Sequence, residues 1–279
     1  MGMPVRAARG AATAGARVVV VTNYGCRLCR EGRLRCAAGG QPPFPETDEA
    51  QVLESVRALS PYLGSLDVGC GGDPLYGADD GRVRFLSGLF REMLFMGVPT
   101  SLHTSLPRAF AEAFGDGSAT LPDTVVYRLS TLDQLKSLPR VGEERVRAAF
   151  VVGEAVTPEF LERAAEAVRY GGRADELAFL QEVRLLRDMS TPPPTGRMPA
   201  AVADPRERLV QELEAGERKG KWSYVRHGGD AAYLANGTVY RSYEAMASGD
   251  GEPVGQEALR AASGPARGLA CRWLEGAVR

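Results

Sequence analysis

The sequence predicts an α/β fold: a partial (β/α)6 barrel followed by a small C-terminal α+β module. Three observations predict it. Short β-branched or apolar runs alternate with amphipathic stretches six times between Arg17 and Phe179, the pattern of a parallel sheet or open barrel. The first two runs each end in a glycine-bearing loop, the kind of strand exit at which parallel α/β folds gather reactive groups. A proline-rich stretch, Ser190 to Asp204, then precedes a segment with hairpin signatures. The expected division is an N-terminal extension over 1–16, a barrel over 17–190, and a substrate-covering module over 191–279.

Arg17 to Thr22 is a β-branched run with the continuous apolar character of a buried parallel strand. After Pro42, Pro43 and Pro45, Glu46 to Leu63 reads as helix, with Thr47 as N-cap and Val52, Val56, Leu59 and Leu63 on one apolar face. Leu66 to Val68 is a short strand entering the tight turn Gly69-Cys70-Gly71-Gly72-Asp73-Pro74. The pattern continues as helix Arg82–Met96, strand Thr100–Thr104, helix Leu106–Phe114, strand Thr124–Ser130, short helix Leu132–Leu138 and strand Val146–Val152. Thr157-Pro158 opens a helix reaching Tyr170, with proline at its favoured first position. Glu176 to Phe179 is the sixth strand, although Glu176 to Leu186 reads equally as helix in isolation. In the C-terminal module Pro205–Arg218 is helical. Trp222–Arg226 and Ala232–Tyr240 surround the turn residues Gly228-Gly229-Asp230 and Asn236-Gly237, a hairpin signal. Further helices are expected over Gly255–Ala262 and ending near Trp273.

At 279 residues with 44% hydrophobic and 25% charged, the chain can bury a substantial core. Lys and Arg number 34 against 35 Asp and Glu, so no charge bias points to nucleic acid or an acidic membrane surface; a small or neutral substrate fits better. The longest apolar runs, around Val18–Val21, fall far short of the ~20 residues that cross a bilayer. Arg6, Arg9 and Arg17 have no apolar stretch of a signal peptide behind them, so a cytoplasmic protein is expected.

The five cysteines are Cys26, Cys29, Cys36, Cys70 and Cys271. An odd number in an intracellular chain favours metal or redox work over a disulfide framework. Cys26, Cys29 and Cys36 cluster on the loop leaving the first strand. Three thiolates can hold three irons of a [4Fe-4S] cluster and leave the fourth open, whereas structural zinc takes four closed ligands. Gly71-Gly72-Asp73-Pro74 occupies the equivalent place after the second strand.

With these two motifs the sequence resembles the radical S-adenosylmethionine (radical SAM) superfamily over roughly residues 17 to 185. That resemblance implies a TIM-like partial barrel, a [4Fe-4S] cluster on Cys26, Cys29 and Cys36, and S-adenosyl-L-methionine on its open iron. Gly71, Gly72, Asp73 and Pro74 match the family's Gly-Gly-Glu-Pro turn with Asp for Glu, and by that likeness contact the methionyl amino group. It places Ser130 near the ribose and carboxylate, and Val152, within Val151 to Gly153, near the adenine. It also implies an external electron donor such as flavodoxin or ferredoxin, reductive cleavage of the cofactor to a 5′-deoxyadenosyl radical, and hydrogen abstraction from a small-molecule substrate. An epimerisation, dehydrogenation or rearrangement in natural-product biosynthesis would follow. The spacing Cys26-x2-Cys29-x6-Cys36 departs from the family's usual Cys-x3-Cys-x2-Cys, and Cys70 is the substitute ligand to weigh.

His103, on the third strand, is either a lumen group touching substrate or a hydrogen-bonded structural residue. Arg128 alternates with Ser130 toward the lumen, where it binds an anion or pairs with a neighbour; Glu154, ending the fifth strand, has the same two readings. Cys271 is either a thiol hydrogen donor from a folded-back helix or a small apolar residue beneath Leu269 and Trp273. Tyr224, His227, Tyr233, Tyr240 and Tyr243 form either a polar-aromatic lid or ordinary cross-strand packing. Two competing functions stay open: a non-catalytic binding protein with structural zinc on Cys26, Cys29, Cys36 and Cys70, and an enzyme of the same fold that cleaves the cofactor in another direction.

Overall fold

A computed structural model describes residues 15–25, 46–152, 156–181, 205–225, 231–241, 245–246 and 249–254 of the protein. Its strands are β1 (Ala16–Val21), β2 (Leu63–Cys70), β3 (Thr100–Thr104), β4 (Thr124–Leu129), β5 (Arg145–Val152), β6 (Glu176–Gln181), β7 (Ser223–Val225), β8 (Ala231–Ala235), β9 (Thr238–Tyr240) and β10 (Glu252–Pro253). The helices are α1 (Glu49–Leu59), α2 (Asp80–Met96), α3 (Pro107–Phe114), α4 (Pro158–Gly171) and α5 (Pro205–Arg218). All strands form one sheet in the order β10-β9-β8-β1-β2-β3-β4-β5-β6-β7. Pairing is parallel from β8 through β1 to β7 and antiparallel among β8, β9 and β10. This is an α/β fold with a mostly parallel central sheet. The strands expected in the C-terminal segment extend both edges of that sheet: β7 lies beside β6 and β8 beside β1.

Alternation along the strands separates two faces. Val18, Val20, Leu66, Val68, Leu102, Tyr127, Phe150 and Phe179 pack in one core with Val52 and Val56 of α1, Phe90 and Met93 of α2, Phe110 and Phe114 of α3, Leu161 of α4 and Leu213 of α5. The helices therefore share one face, as a sheet wound in a single direction by right-handed crossovers requires. The other face carries the intervening residues, including Val19, Asp67, His103, Val126, Arg128, Ala149 and Ala178. Only six Cα steps separate Val225, ending β7, from Ala231, opening β8, a reach of about 22 Å. Eight parallel strands laid flat would hold these edges about 34 Å apart. The sheet therefore curls, with the helix-free face inside the curve.

Local chemistry sets the element ends. Asp48, rather than Thr47, caps α1 by accepting from the Gln51 N–H at 3.0 Å. Thr47 Oγ1 accepts instead from the Asn23 N–H at 2.7 Å, which ties the start of α1 to the loop leaving β1. Pro61 turns the chain into a short 3-10 segment, so α1 stops at Leu59, before the expected Leu63. The segment 132–137 is 3-10 in form, fixed by a capping box of Thr131 and Gln134. Asp79 and Thr157 cap α2 and α4. Asn236-Gly237 joins β8 to β9 as a hairpin, with Asn236 at φ 48°.

Candidate functional site

Two successive strand exits are locked together at the carboxyl end of the sheet. The Thr22 N–H donates to Cys70 O at 2.7 Å and the Asp73 N–H donates to Gly25 O at 2.7 Å. This approach needs glycines. Gly71 has φ 84°, and a Cβ on it would lie 2.9 Å from Val21 Cγ1; a Cβ on Gly72 would lie 2.9 Å from Gly25 O, Thr22 O and Tyr24 N. The root of the cysteine loop is thus clamped against the Gly71–Pro74 turn, although Cys26, Cys29 and Cys36 themselves lie outside the described residues. Thr22 Oγ1 is buried at this junction with no hydrogen-bond partner among the described residues.

Asp73 is buried, and both its carboxylate oxygens accept from the protein. Thr104 Oγ1 donates at 2.8 Å, Ser105 N–H and Oγ at 2.6 and 2.7 Å, and Leu75 N–H at 3.1 Å. Its side chain anchors the exit of β3 to the exit of β2, and what the turn offers a ligand is its backbone. A second anchor lies on the outer side. Tyr24 donates through its hydroxyl to Glu49 at 2.9 Å and lies under the Arg82 guanidinium, 3.7 Å from its ring centroid. Burial first, then Glu49, pushes the Tyr24 phenol up. Arg82 also donates to Tyr76 O at 2.9 Å. Loop composition alone gave no sign of this Tyr24–Glu49–Arg82 set, whose members come from three separate elements.

The helix-free face carries a polar strip across β1 to β4. Arg17 pairs with Asp67 at 2.6 Å. His103 is half-buried, and its Nδ1 is buried without a hydrogen-bond partner among the described residues. Burial pushes the imidazole pKa down to about 3; the positive Arg128, Arg17 and Arg147 add to this and Asp67 opposes it. Arg128 donates through one terminal nitrogen to Gly69 O at 2.6 Å, while its Nε is buried and unpartnered among the described residues. Gly69, at φ 124°, makes room: a Cβ there would lie 2.6 Å from His103 O. Glycine inside a strand signals such a close approach; with the strand expected to end at Val68, Gly69 reads as a turn residue, and the signal is legible only once β2 runs to Cys70.

Other sequence-predicted residues divide around this centre. Ser130 is exposed just beyond β4, with its N–H donating to Gln134 Oε1 at 2.7 Å, and Val152 ends β5 half-buried. Cys70, Tyr233 and Tyr240 pack against Val21, Ala235 and Met246, so the C-terminal strands cover the face beside β1. Tyr224 belongs instead to the helix-side core. Glu154, His227, Tyr243 and Cys271 lie outside the described residues.

The fold is similar to that of SuiB from Streptococcus suis. SuiB bound to its precursor peptide SuiA matches with TM-score 0.57 and 10% identity, covering 90% of this chain and 65% of SuiB. SuiB bound to S-adenosylmethionine matches with TM-score 0.54 and 11% identity, covering 86% and 63%. A further SuiB structure gives 0.51 and 12%, covering 83% and 61%. The chain thus matches less than two thirds of SuiB's length, and at these identities the likeness shows the fold. No protein-family model matches the sequence, and no curated protein does.

Proposed function

We propose that the protein is a radical SAM enzyme. Its partial barrel spans 17–190, with 191–279 covering the substrate, and Cys26, Cys29 and Cys36 hold a [4Fe-4S] cluster whose open iron takes S-adenosyl-L-methionine. The observation that carries this reading is the Gly25–Asp73 clamp. It sets the root of a three-cysteine loop against a glycine turn at the carboxyl edge of a parallel sheet, where such folds bind ligands. A SuiB structure of the same fold solved with S-adenosylmethionine supports it. The residues fit these groups: three thiolates leave one coordination site open, and Thr22 Oγ1, at the junction of the two loops, is a buried polar atom without a protein partner among the described residues.

When bound, the cluster and cofactor supply a carbon-centred radical able to take hydrogen from an unactivated carbon, with electrons from a flavodoxin or ferredoxin. The chain supplies position and exclusion of water. Gly71 and Gly72 present backbone groups to the methionyl end, and Asp73 fixes their turn by anchoring it to Thr104 and Ser105. Ser130 and Val152, at neighbouring strand exits, serve the ribose and adenine. His103, Arg128 and Glu154 face the substrate, and Cys271 is the hydrogen donor if the outcome is epimerisation. The substrate is a small molecule handled in the cytoplasm. A peptide substrate is the second reading, favoured by the SuiB structure that holds its precursor peptide.

Anaerobic reconstitution followed by iron, sulfide and zinc analysis tests the assignment. The expected product is brown protein with about four irons and charge-transfer absorbance, both lost in the Cys26, Cys29 and Cys36 to Ala triple variant. Colourless protein with one tightly held zinc would replace this reading with the structural zinc site.

A further inference from the structure

Among the described residues of the inner face positive side chains outnumber negative ones, and one of these cations has no carboxylate partner. Arg17 is neutralised by Asp67 at 2.6 Å, and Arg145 and Arg147 share Glu176, at 3.0 and 2.6 Å. Arg128 has no carboxylate within ion-pair distance among the described residues; its protein hydrogen bond is to the neutral Gly69 O. It is half-buried, with Nε wholly buried and unpartnered. A guanidinium withdrawn from water without a counter-charge is costly, and a fork of N–H donors is built for a planar anion.

His103 stands next to it. His103 pairs in register with Val126, two residues before Arg128 on the same inner face, and Gly69 keeps the space beside both free of a β2 side chain. A neutral imidazole offers a donor or a lone pair without adding charge. Arg128 pairs in register with Ala149, and Ala149 with Ala178, so no charged side chain competes from β5 or β6 at that level. One unpaired cation, one neutral polar ring and small apolar neighbours, with the nearby Asp67 and Glu176 already taken by Arg17 and Arg147, suit a singly charged carboxylate better than a phosphate dianion.

We propose that Arg128 and His103 form a carboxylate-binding subsite for the substrate of the reaction proposed above. Depth separates it from the ribose position: Arg128 lies two residues inside Ser130, about 6.6 Å farther from the strand exit, while its contact with Gly69 O places it beside the turn, so competition with the cofactor is part of the test. The substrate class is therefore an organic acid, an amino acid or an acidic side chain of a larger molecule. The inference rests on the reading of this face as the reaction chamber, and the test below separates the two.

The probe is propionate, with its neutral isostere propionamide as control, observed by saturation-transfer NMR on the full reconstituted chain with and without saturating S-adenosylmethionine. Propionate should give a signal that propionamide does not, and the signal should persist when the cofactor is present. Arg128→Gln should weaken propionate binding about tenfold or more, the effect of losing a charge-assisted bond, while Arg128→Lys and His103→Asn keep a reduced signal. Circular dichroism confirms that each variant is folded, and S-adenosylmethionine affinity should change less than about twofold in Arg128→Gln, well under the loss of one such bond. Displacement of propionate by S-adenosylmethionine, with cofactor affinity falling in Arg128→Gln, would assign the subsite to the cofactor's own carboxylate and overturn the proposal. Equal propionate and propionamide signals, or equal signals from wild type and Arg128→Gln, would also overturn it. Failure of the wild type to assemble a cluster would instead defeat the enzyme reading, whatever propionate does.

Discussion

The Asp73 N–H donates to Gly25 O at 2.7 Å, and this single bond joins the turn after β2 to the residue preceding Cys26. Gly72 permits it, because a Cβ there would crowd three backbone atoms at 2.9 Å. Backbone atoms cannot swing aside as a flexible side chain would, so Gly72→Ala must open the clamp. The expected cost is about 1–3 kcal/mol of stability, with reconstituted iron falling by more than half while the far-UV circular dichroism stays native. Full iron loading in Gly72→Ala would show that the cysteine loop does not depend on this turn.

Asp73 accepts from four protein donors, and its short side chain is what reaches Thr104 and Ser105. Asp73→Ala leaves those buried donors without an acceptor and should cost about 2–4 kcal/mol in urea unfolding. Asp73→Glu reproduces the Gly-Gly-Glu-Pro turn of the superfamily that the sequence resembles yet adds a methylene at a packed site, so it should destabilise by about 1–3 kcal/mol and, on the proposed function, weaken S-adenosylmethionine binding. A stabilised or tighter-binding Asp73→Glu protein would assign the carboxylate to the cofactor instead.

His103 titrates at about 3 in the folded protein, against about 6.5 in an unfolded chain. Between those values the unfolded chain binds the extra proton, so stability rises with pH through this window and is complete above its upper end. Below about pH 6.5 this imidazole should therefore cost the wild type at most ~1.4 kcal/mol per pH unit. Urea unfolding at pH 7.0 and 5.5 checks it, since carboxylates such as Asp175, held low chiefly by Arg140 and the Val146 N–H against the cost of burial, remain ionised there. The stability gap between wild type and the untitratable His103→Gln should narrow as pH falls. Parallel pH dependences would rule out a buried neutral imidazole.

Helix α5 docks through Trp222, whose indole N–H donates to Leu213 O at 2.9 Å and whose ring meets Phe179 edge-on at 5.4 Å. A Cβ on Gly216 would overlap that ring. Gly216→Ala should lower stability by about 1–3 kcal/mol and red-shift tryptophan emission, with iron content unchanged. Loss of the cluster in this variant would mean that α5 supports the site directly.

The strand–helix order was legible because each strand is a β-branched or apolar run bounded by Gly, Pro or polar turns, as in Arg17 to Thr22 and Val146 to Val152. The convergence of the Asn23–Gly25 and Gly71–Asp73 loops was legible too, since neighbouring parallel strands place their exits side by side. Other features were not, because they depend on tertiary partners. Thr47 and Asp48 are both capping types, with Asp the stronger, and the Asn23 N–H takes the Thr47 hydroxyl oxygen while Asp48 caps. Asp73 reads as a ligand group until Thr104 and Ser105 fold onto it. Trp222–Arg226 and Ala232–Tyr240 read as neighbours in one hairpin, yet β7 and β8 sit at opposite ends of the parallel part of the sheet, and hydrophobic pattern alone does not say which strand each one joins.

The most direct test of the central claim is product analysis after anaerobic incubation of reconstituted protein with S-adenosylmethionine and a low-potential reductant. 5′-Deoxyadenosine and methionine should accumulate in wild type and be absent when Cys26, Cys29 and Cys36 are all alanine. Intact cofactor after incubation with cluster-loaded protein, or cleavage that gives 5′-methylthioadenosine instead, would contradict it.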